Sequence, residues 1–290
     1  MFRIITDNGA DLPESFLTAH DIGCIYLSTI LDGDIIAGQD RHLSAEDFYG
    51  MLRNGAKPST SQVNPHDAEA YFEAHIDDAD EFLYVGLSSG LSGTVQSVQA
   101  GVEKVLKKHP SKKIEVVDSL TGSPGEALLV YYAVTLRDQG RTLEEAAGWL
   151  RKNAKNVLLA ITVDNLFDLY RGGRVSRSSA VIGTLASIKP FIIVDNEGKL
   201  QVTKKIRGRK KALEYLVDYM EEHMGSRRDE NRQMVMVNHG HVPEDAAFTA
   251  DLIRKRFGFE NIMISNVGPM IGTHTGPSIV VVAFLGEERS

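Results

Sequence analysis

The sequence predicts an α/β protein built from two α/β lobes, the first with a mostly parallel sheet and the second with a mixed sheet. In residues 1–153, short apolar runs typical of strands alternate with helical patterns, as expected when parallel strands are joined by crossover helices. In residues 154–290, two extended runs flank a polar turn containing Gly198, which is typical of a hairpin and therefore of antiparallel pairing. We place the boundary between an N-terminal domain and a C-terminal domain at residue 153.

The first half has recognisable helix signals between its strands. Ser44 is placed to cap a helix, with Asp47 three residues on in the manner of a capping box and Gly55 at its end. From Thr94 onward, valines recur at helical spacing and give the segment one apolar face. GEALLVYYAVTLRDQG is apolar nearly all round, which predicts a buried helix. The predicted strands are FRIIT, CIYLSTIL, EFLYVGL and KKIEVVDS.

The second half begins with an amphipathic helix, TLEEAAGWLRKNA, that leads into the strand VLLAITV. A hairpin, KPFIIVDNEGKLQVTKKI, and a helix, ALEYLVDYMEEHMG, come next. The chain then predicts strand, helix, strand, strand at MVMVN, DLIRKRFG, NIMISNV and SIVVVAFLG. This order differs from the regular alternation of the first half and favours a second, mixed sheet.

Composition excludes several classes of protein. A net charge of −7 over 290 residues argues against nucleic acid as a partner. No apolar run approaches the length of a membrane span, and the first residues are typical of a strand rather than a signal peptide. The single cysteine, Cys24, excludes an internal disulfide and fits a reducing compartment. We therefore expect a cytoplasmic protein without an integral membrane segment.

The stretch GLSSGLSGTVQS, residues 86–97, follows a strand and opens a helix. The first N–H groups of a helix lack intrahelical partners, and a glycine-rich approach lets a ligand come close to them. The loop has no lysine, so a small single-charge anion such as a carboxylate fits it better than a nucleotide triphosphate. The alternative is that Ser92 or Thr94 merely caps the helix.

Two further segments carry candidate polar ligands. PSTSQVNP, residues 58–65, has three consecutive hydroxyl residues, which either donate to a ligand or form turn chemistry. GPMIGTHTGPSI places His274 between two threonines and between glycine-rich turns, where it could donate to an anion, move a proton, or simply be bonded within a loop. His239 and His241 alone make an incomplete metal site, so we expect no metal and no cofactor.

Positive charge concentrates in two segments of this acidic chain. YRGGRVS carries Arg171 and Arg174 around a Gly-Gly pair, and TKKIRGRKKA carries six basic residues, Arg207 among them. Such runs are ordinarily solvated surface, and the functional alternative is a docking face for an acidic protein or a phosphorylated group. We recognise no nucleophile–base pair in the sequence and no paired-carboxylate motif.

Taken together, the motifs resemble the DegV family of bacterial fatty-acid-binding proteins along essentially the whole chain. The motifs, in order, are IITDNGADLP, PSTSQVNP, SSGLSGTVQS, VDSLTGSPGEALLV, VDNLFDLYRGGRVS, IKPFI, KIRGRKKA and GPMIGTHTGP. The resemblance implies two α/β domains and a buried long-chain fatty acid, palmitate for example, as the ligand. The chain departs from the family pattern at Asn8 and Gly9, where Ser and Thr are usual, and at Val63, where Pro is common.

The family pattern also implies roles for individual residues. Thr60 matches the threonine of its Thr-Ser-Gln motif, Ser92 the serine of Ser-Gly-Thr, and His274 the histidine near the C-terminus, and these three are expected to hold the fatty acid carboxylate. Ser61, Gly93 and Thr94 are expected to support them. Arg171, Arg174 and Arg207 match arginines expected to contact a partner or a phosphate group.

In such proteins the bound acid can be presented to a separate fatty acid kinase, which forms an acyl phosphate. We therefore predict a lipid-binding carrier of fatty acid metabolism that has no catalysis of its own. The alternative is a phosphotransferase or hydrolase that uses His274 with the hydroxyl loops. A third class is a regulatory protein that works through the basic KKIRGRKK segment.

Overall fold

The computed structural model describes residues 1–176, 187–229 and 233–289. Its strands are β1 (Arg3–Asp7), β2 (Ile22–Ile25), β3 (Ser28–Leu31), β4 (Asp34–Ala37), β5 (Ser59–Ser61), β6 (Glu81–Gly86), β7 (Lys113–Asp118), β8 (Val157–Thr162), β9 (Ile188–Val194), β10 (Leu200–Arg207), β11 (Val235–His239), β12 (Ile262–Asn266) and β13 (Val280–Leu285). Its α-helices are α1 (Glu14–Ala19), α2 (Ala45–Arg53), α3 (Pro65–Ala74), α4 (Thr94–Lys108), α5 (Pro124–Asp138), α6 (Leu143–Asn153), α7 (Phe167–Arg171), α8 (Arg209–His223), α9 (Pro243–Phe257) and α10 (Pro269–Thr275).

Two principal sheets confirm the predicted fold class. The first has the order β2-β1-β6-β7, and all its pairs are parallel. The second has the order β10-β9-β8-β13-β11-β12, in which only β11 and β12 pair in parallel. A small antiparallel sheet, β4-β3-β5, lies beside them. The first sheet is formed within residues 1–153 and the second within residues 154–290, and the division into domains at residue 153 stays a prediction.

Helix α5 lies between the two principal sheets and contacts strands of both. Its first seven residues, 124–130, are all buried, as the apolar pattern predicts. One continuous apolar cluster joins residues of both sheets through this helix, for example Leu83, Leu129 and Val281. The core is therefore shared between the two halves of the chain.

The segment CIYLSTIL is not one strand, as the sequence predicts, but two strands of different sheets. β2 pairs with β1, whereas β3 pairs with β4 and β5. At the break, the Asn8 side chain accepts a hydrogen bond from the Leu27 N–H at 2.8 Å and donates one to the Leu27 carbonyl at 3.0 Å. These bonds satisfy the backbone of Leu27 without a strand partner, so the chain can change sheets there.

The segment around His274 is a short helix rather than the glycine-rich turns that the sequence predicts. Gly268 precedes α10, and Pro269 occupies the first helical position, where its missing N–H costs nothing. The helix ends at Gly276, whose φ of 73° is unfavourable for other residues. His274 therefore lies in the last turn of a helix.

Candidate functional site

Thr60, Ser92 and His274 line a single cavity of about 340 Å³ between the second principal sheet and loops of the first half of the chain. Thr60 lies on β5, Ser92 in the loop before α4, and His274 on α10. The Thr60 hydroxyl and His274 Nε2 are 2.8 Å apart and form a hydrogen bond. The Ser92 hydroxyl lies 2.9 Å from that of Thr94. Residues separated by more than two hundred positions in sequence are therefore adjacent at one cavity.

The rest of the cavity wall is mainly apolar. Its side chains come from β8, β9, β10 and β13 of the second sheet, from α10, and from loops of the first half. The apolar lining residues are Leu27, Leu87, Leu91, Leu159, Ile161, Leu169, Val194, Leu200, Met270, Ile271, Ile279 and Val281. A cavity with this lining is suited to an elongated apolar ligand that has a polar head.

The loop before α4 is held by contacts that explain two of its glycines. A Cβ at Gly90 would lie 2.3 Å from the Glu197 carbonyl oxygen, so this glycine lets the loop pack on the turn between β9 and β10. A Cβ at Gly93 would lie 2.5 Å from Gln62 Oε1, which accepts the Gly93 N–H at 3.1 Å. The glycines thus serve close packing, and they fix Ser92 at the cavity wall.

The other candidate residues around Ser92 take different positions. Ser61 lines the cavity and is exposed. Gly93 and Thr94 are absent from the cavity wall among the described residues, and Thr94 is fully buried. The N-cap of α4 is Gly93, without a side-chain cap, but the Thr94 N–H donates to the Ser92 hydroxyl at 3.3 Å, so Ser92 binds the first N–H of the helix and also lines the cavity. Contact with the start of the helix and a position at the cavity wall are therefore compatible for Ser92.

The two arginines of the Gly-Gly segment bind backbone carbonyls at the site. Arg174 lines the cavity and donates to the Leu91 carbonyl at 3.0 and 3.2 Å. Arg171 donates to the carbonyls of Pro58, at 2.9 Å, and Thr273, at 3.1 Å. Arg171 therefore links α10 to the segment before β5, and Arg174 holds the loop that carries Ser92.

Arg207 lies elsewhere, at the end of β10, where it is exposed and is not part of the cavity wall. It belongs to the exposed basic segment of an edge strand and the helix that follows. Arg207 is therefore not part of the site at which Arg171 and Arg174 lie, although the family resemblance gives the three arginines the same expected role.

His274 is electrically neutral at pH 7. Burial, together with the nearby positive charges of Arg174 and Arg171, lowers its pKa to about 4. Its Nε2 faces Thr60, and its Nδ1 is buried without a hydrogen-bond partner among the described residues. A neutral imidazole carries one donor and one acceptor nitrogen, so this site offers hydrogen bonds and no formal charge from the histidine.

A buried polar connection that sequence reasoning missed joins the starts of α5 and α10. The Ser123 hydroxyl, at the cavity wall, donates to Asp11 Oδ2 at 2.5 Å, and Asp11 Oδ1 accepts the Gly268 N–H at 2.8 Å. Ser123 has a φ of 51°, which is strained for serine. Burial raises the pKa of Asp11 to about 7. The Gly-Ser-Pro-Gly run before α5 was the only available sequence signal.

The remaining titratable candidates do not form a metal site. His239 is buried with Nδ1 against the Gly240 carbonyl at 3.2 Å, and the ring of His241 lies near that of Tyr49. Within residues 1–176, 187–229 and 233–289, no group of three or more His, Cys, Asp or Glu side chains is placed to hold a metal ion. In the same part of the chain, no helix has the length and apolarity needed to cross a bilayer.

Fold and cavity together define a class: an α/β protein with two principal sheets and a mainly apolar cavity whose wall also carries polar side chains. Comparison with known protein families then shows to which family the chain belongs. The family model described as "Uncharacterised protein, DegV family" matches residues 1–287. A DegV domain-containing protein of Clostridium perfringens is 37% identical over 289 residues, which cover 99% of this chain and 98% of that protein. The chain belongs to the DegV family.

Solved structures give the same result for the fold. A fatty-acid-binding DegV family protein of Thermus thermophilus is 26% identical, with a TM-score of 0.84 over 98% of this chain and 99% of that one. DegV of Bacillus subtilis, named a fatty acid binding protein, is 26% identical, with a TM-score of 0.85 over 99% of each chain. A fatty acid binding DegV family protein of Streptococcus agalactiae is 25% identical, with a TM-score of 0.84 over 99% of each chain.

Proposed function

We propose that the protein binds one long-chain fatty acid, with the acyl tail in the apolar cavity and the carboxylate held by Thr60, Ser92 and His274. The observation that carries the proposal is that these three polar residues line the same cavity as twelve apolar side chains. The fatty-acid-binding neighbours of the same fold support the ligand class.

The energetics favour such a ligand. Burial of an acyl chain of about sixteen carbons gains roughly 12 kcal/mol before the costs of association, at about 0.8 kcal/mol per methylene. The cavity of about 340 Å³ lies at the lower end of the range of roughly 300–1,000 Å³ that is usual for ligand sites. A few hydrogen bonds from the polar group of Thr60, Ser92 and His274 then suffice to orient the carboxylate, since the tail supplies most of the affinity.

The carboxylate would meet single hydrogen-bond donors rather than a bidentate arginine. His274 is neutral at pH 7. Although Arg171 and Arg174 keep their positive charge, their guanidinium groups already donate to backbone carbonyls and, for Arg171, to Asp168. A carboxylate bound in this way keeps an oxygen available for chemistry by a partner, which a bidentate arginine pair would occupy. This favours a carrier that presents the acid over a protein that sequesters it.

We infer that the partner is a separate fatty acid kinase, to which the carrier presents its ligand for acyl-phosphate formation. The exposed basic segment that contains Arg207 offers a docking face for an acidic surface. Arg207→Glu should reduce phosphorylation of the bound acid by the kinase and leave the lipid content unchanged. If lipid content and phosphorylation fall together, Arg207 does not act through docking.

His274→Ala distinguishes the carrier from the alternative phosphotransferase or hydrolase. The carrier account predicts at least tenfold weaker binding of palmitate to delipidated protein, measured by displacement of a fluorescent fatty acid. An enzyme that uses His274 for proton transfer would instead lose turnover of an acyl substrate and keep its binding. Unchanged palmitate affinity in the variant would refute the proposed role of His274.

A further inference from the structure

Nδ1 of His274 lies against the main chain at Gly172, directly after α7. An ideal Cβ built on Gly172 would lie 2.0 Å from His274 Nδ1, 2.9 Å from its Cε1 and 3.1 Å from its Cγ. No real Cβ approaches another atom so closely, so only glycine leaves room for the ring in this position. The bare Cα of Gly172 therefore covers one edge of the imidazole, while Nε2 on the other edge faces Thr60.

Gly172 is not required by its own backbone conformation. Its φ of −77° and ψ of −6° are open to any residue, in contrast to its neighbour Gly173, which has a φ of 74°. The backbone at this point is also fixed, because the Gly172 N–H donates to the Asp168 carbonyl at 2.9 Å and the Gly172 carbonyl accepts from Arg174. The contact with His274 is thus the feature of the site that demands glycine.

The contact with Gly172 influences which nitrogen of the neutral His274 ring carries the single proton. A proton on Nδ1 would be a buried donor without an acceptor among the described residues, which is unfavourable. An unprotonated Nδ1 instead faces a Cα–H group, which is itself a weak donor. The surroundings therefore favour the tautomer with its proton on Nε2.

We propose that Gly172 is a positioning residue for His274: its bare Cα packs against Nδ1 and so directs the single ring N–H, on Nε2, toward Thr60. The use of this N–H rests on the proposed fatty acid function. When Nε2–H donates to the Thr60 oxygen, the Thr60 hydroxyl proton is free to point into the cavity. A carboxylate only accepts hydrogen bonds, so it requires the Thr60 hydroxyl to donate, as it does in this arrangement.

The tautomer is measurable without any ligand. In delipidated protein labelled with ¹⁵N-histidine, the His274 signals are assigned by their loss in His274→Gln. We expect Nε2 to show the shift of a protonated nitrogen and Nδ1 that of an unprotonated one at pH 7. The reverse pattern would overturn the proposal even if fatty acid binds. Failure of fatty acid binding with the expected pattern would count against the proposed function alone.

Gly172→Ala tests the steric part. The added Cβ should displace the ring, change the His274 ¹⁵N pattern and weaken palmitate binding about tenfold to a hundredfold, as expected for loss of a hydrogen bond to a charged group. The matched control is Gly148→Ala in α6, where a Cβ meets nothing within 4 Å. Wild-type affinity in Gly172→Ala, or weaker binding with an unaltered His274 spectrum, would refute the positioning role.

Discussion

Replacement of Thr60 by valine removes one hydroxyl and keeps the shape of the side chain. In the free protein, that hydroxyl lies 2.8 Å from His274 Nε2 at the wall of the cavity. Because Thr60 is only partly buried, water can replace the hydroxyl before ligand binds. In the complex, valine cannot donate to the carboxylate, and a hydrogen bond to a charged group contributes about 1.5–3 kcal/mol. We therefore expect palmitate to bind Thr60→Val about tenfold to a hundredfold more weakly.

The assay compares the acid with the alcohol of the same chain length on delipidated protein. Both ligands bury the same tail, so the ratio of their dissociation constants isolates the headgroup. Thr60→Val should reduce affinity for the acid far more than for the alcohol, and Thr60→Ser, which keeps a hydroxyl, should remain close to the wild type. Equal losses for acid and alcohol, or an unchanged affinity for the acid, would refute the carboxylate role of Thr60.

Two further predictions concern the cavity and the buried acid beside it. Leu200→Phe adds volume at the cavity wall and should reduce the ratio of the affinity for long-chain to that for medium-chain fatty acids. Val202→Phe, on the same strand but not part of the lining, should leave this ratio unchanged. A similar change of the ratio in both variants, measured by fatty acid displacement, would contradict the placement of the tail. Burial raises the pKa of Asp11 from 3.8 to about 7, so the folded state favours the protonated form. As pH rises from 4 to 7, the unfolded carboxyl ionises first, and wild-type unfolding free energy should fall relative to Asp11→Asn by on the order of 4 kcal/mol. Urea denaturation across this range measures the difference, and parallel curves for the two proteins would show that Asp11 ionises normally.

Much of the fold could be predicted from the sequence because its patterns are local. The valine spacing after Thr94 and the apolar run of α5 each specify their element without reference to the rest of the chain. The helix that carries His274 could not be predicted in this way, since glycine and threonine have low helix propensity. It is held by tertiary contacts: a Cβ at Gly272 would lie 2.7 Å from the Tyr49 hydroxyl.

The sequence likewise predicts one part of the candidate site and not the other. The motifs and the family resemblance single out Thr60, Ser92 and His274, and the structure brings them to one cavity. The cavity itself could not be predicted from the sequence, because lining residues such as Leu159 follow the same apolar pattern as the core. Gly172 was also missed, because its role depends on a contact with a residue about a hundred positions away.

The central claim is that the cavity holds a fatty acid, and the lipid content of the protein tests it most directly. The protein is purified without added lipid, denatured, extracted and examined by mass spectrometry, alongside native mass measurement of the intact complex. We predict about one long-chain fatty acid per chain, restored by palmitate after delipidation. A denatured protein that releases no acyl chain, and a delipidated protein that binds none when it is added, would contradict the account.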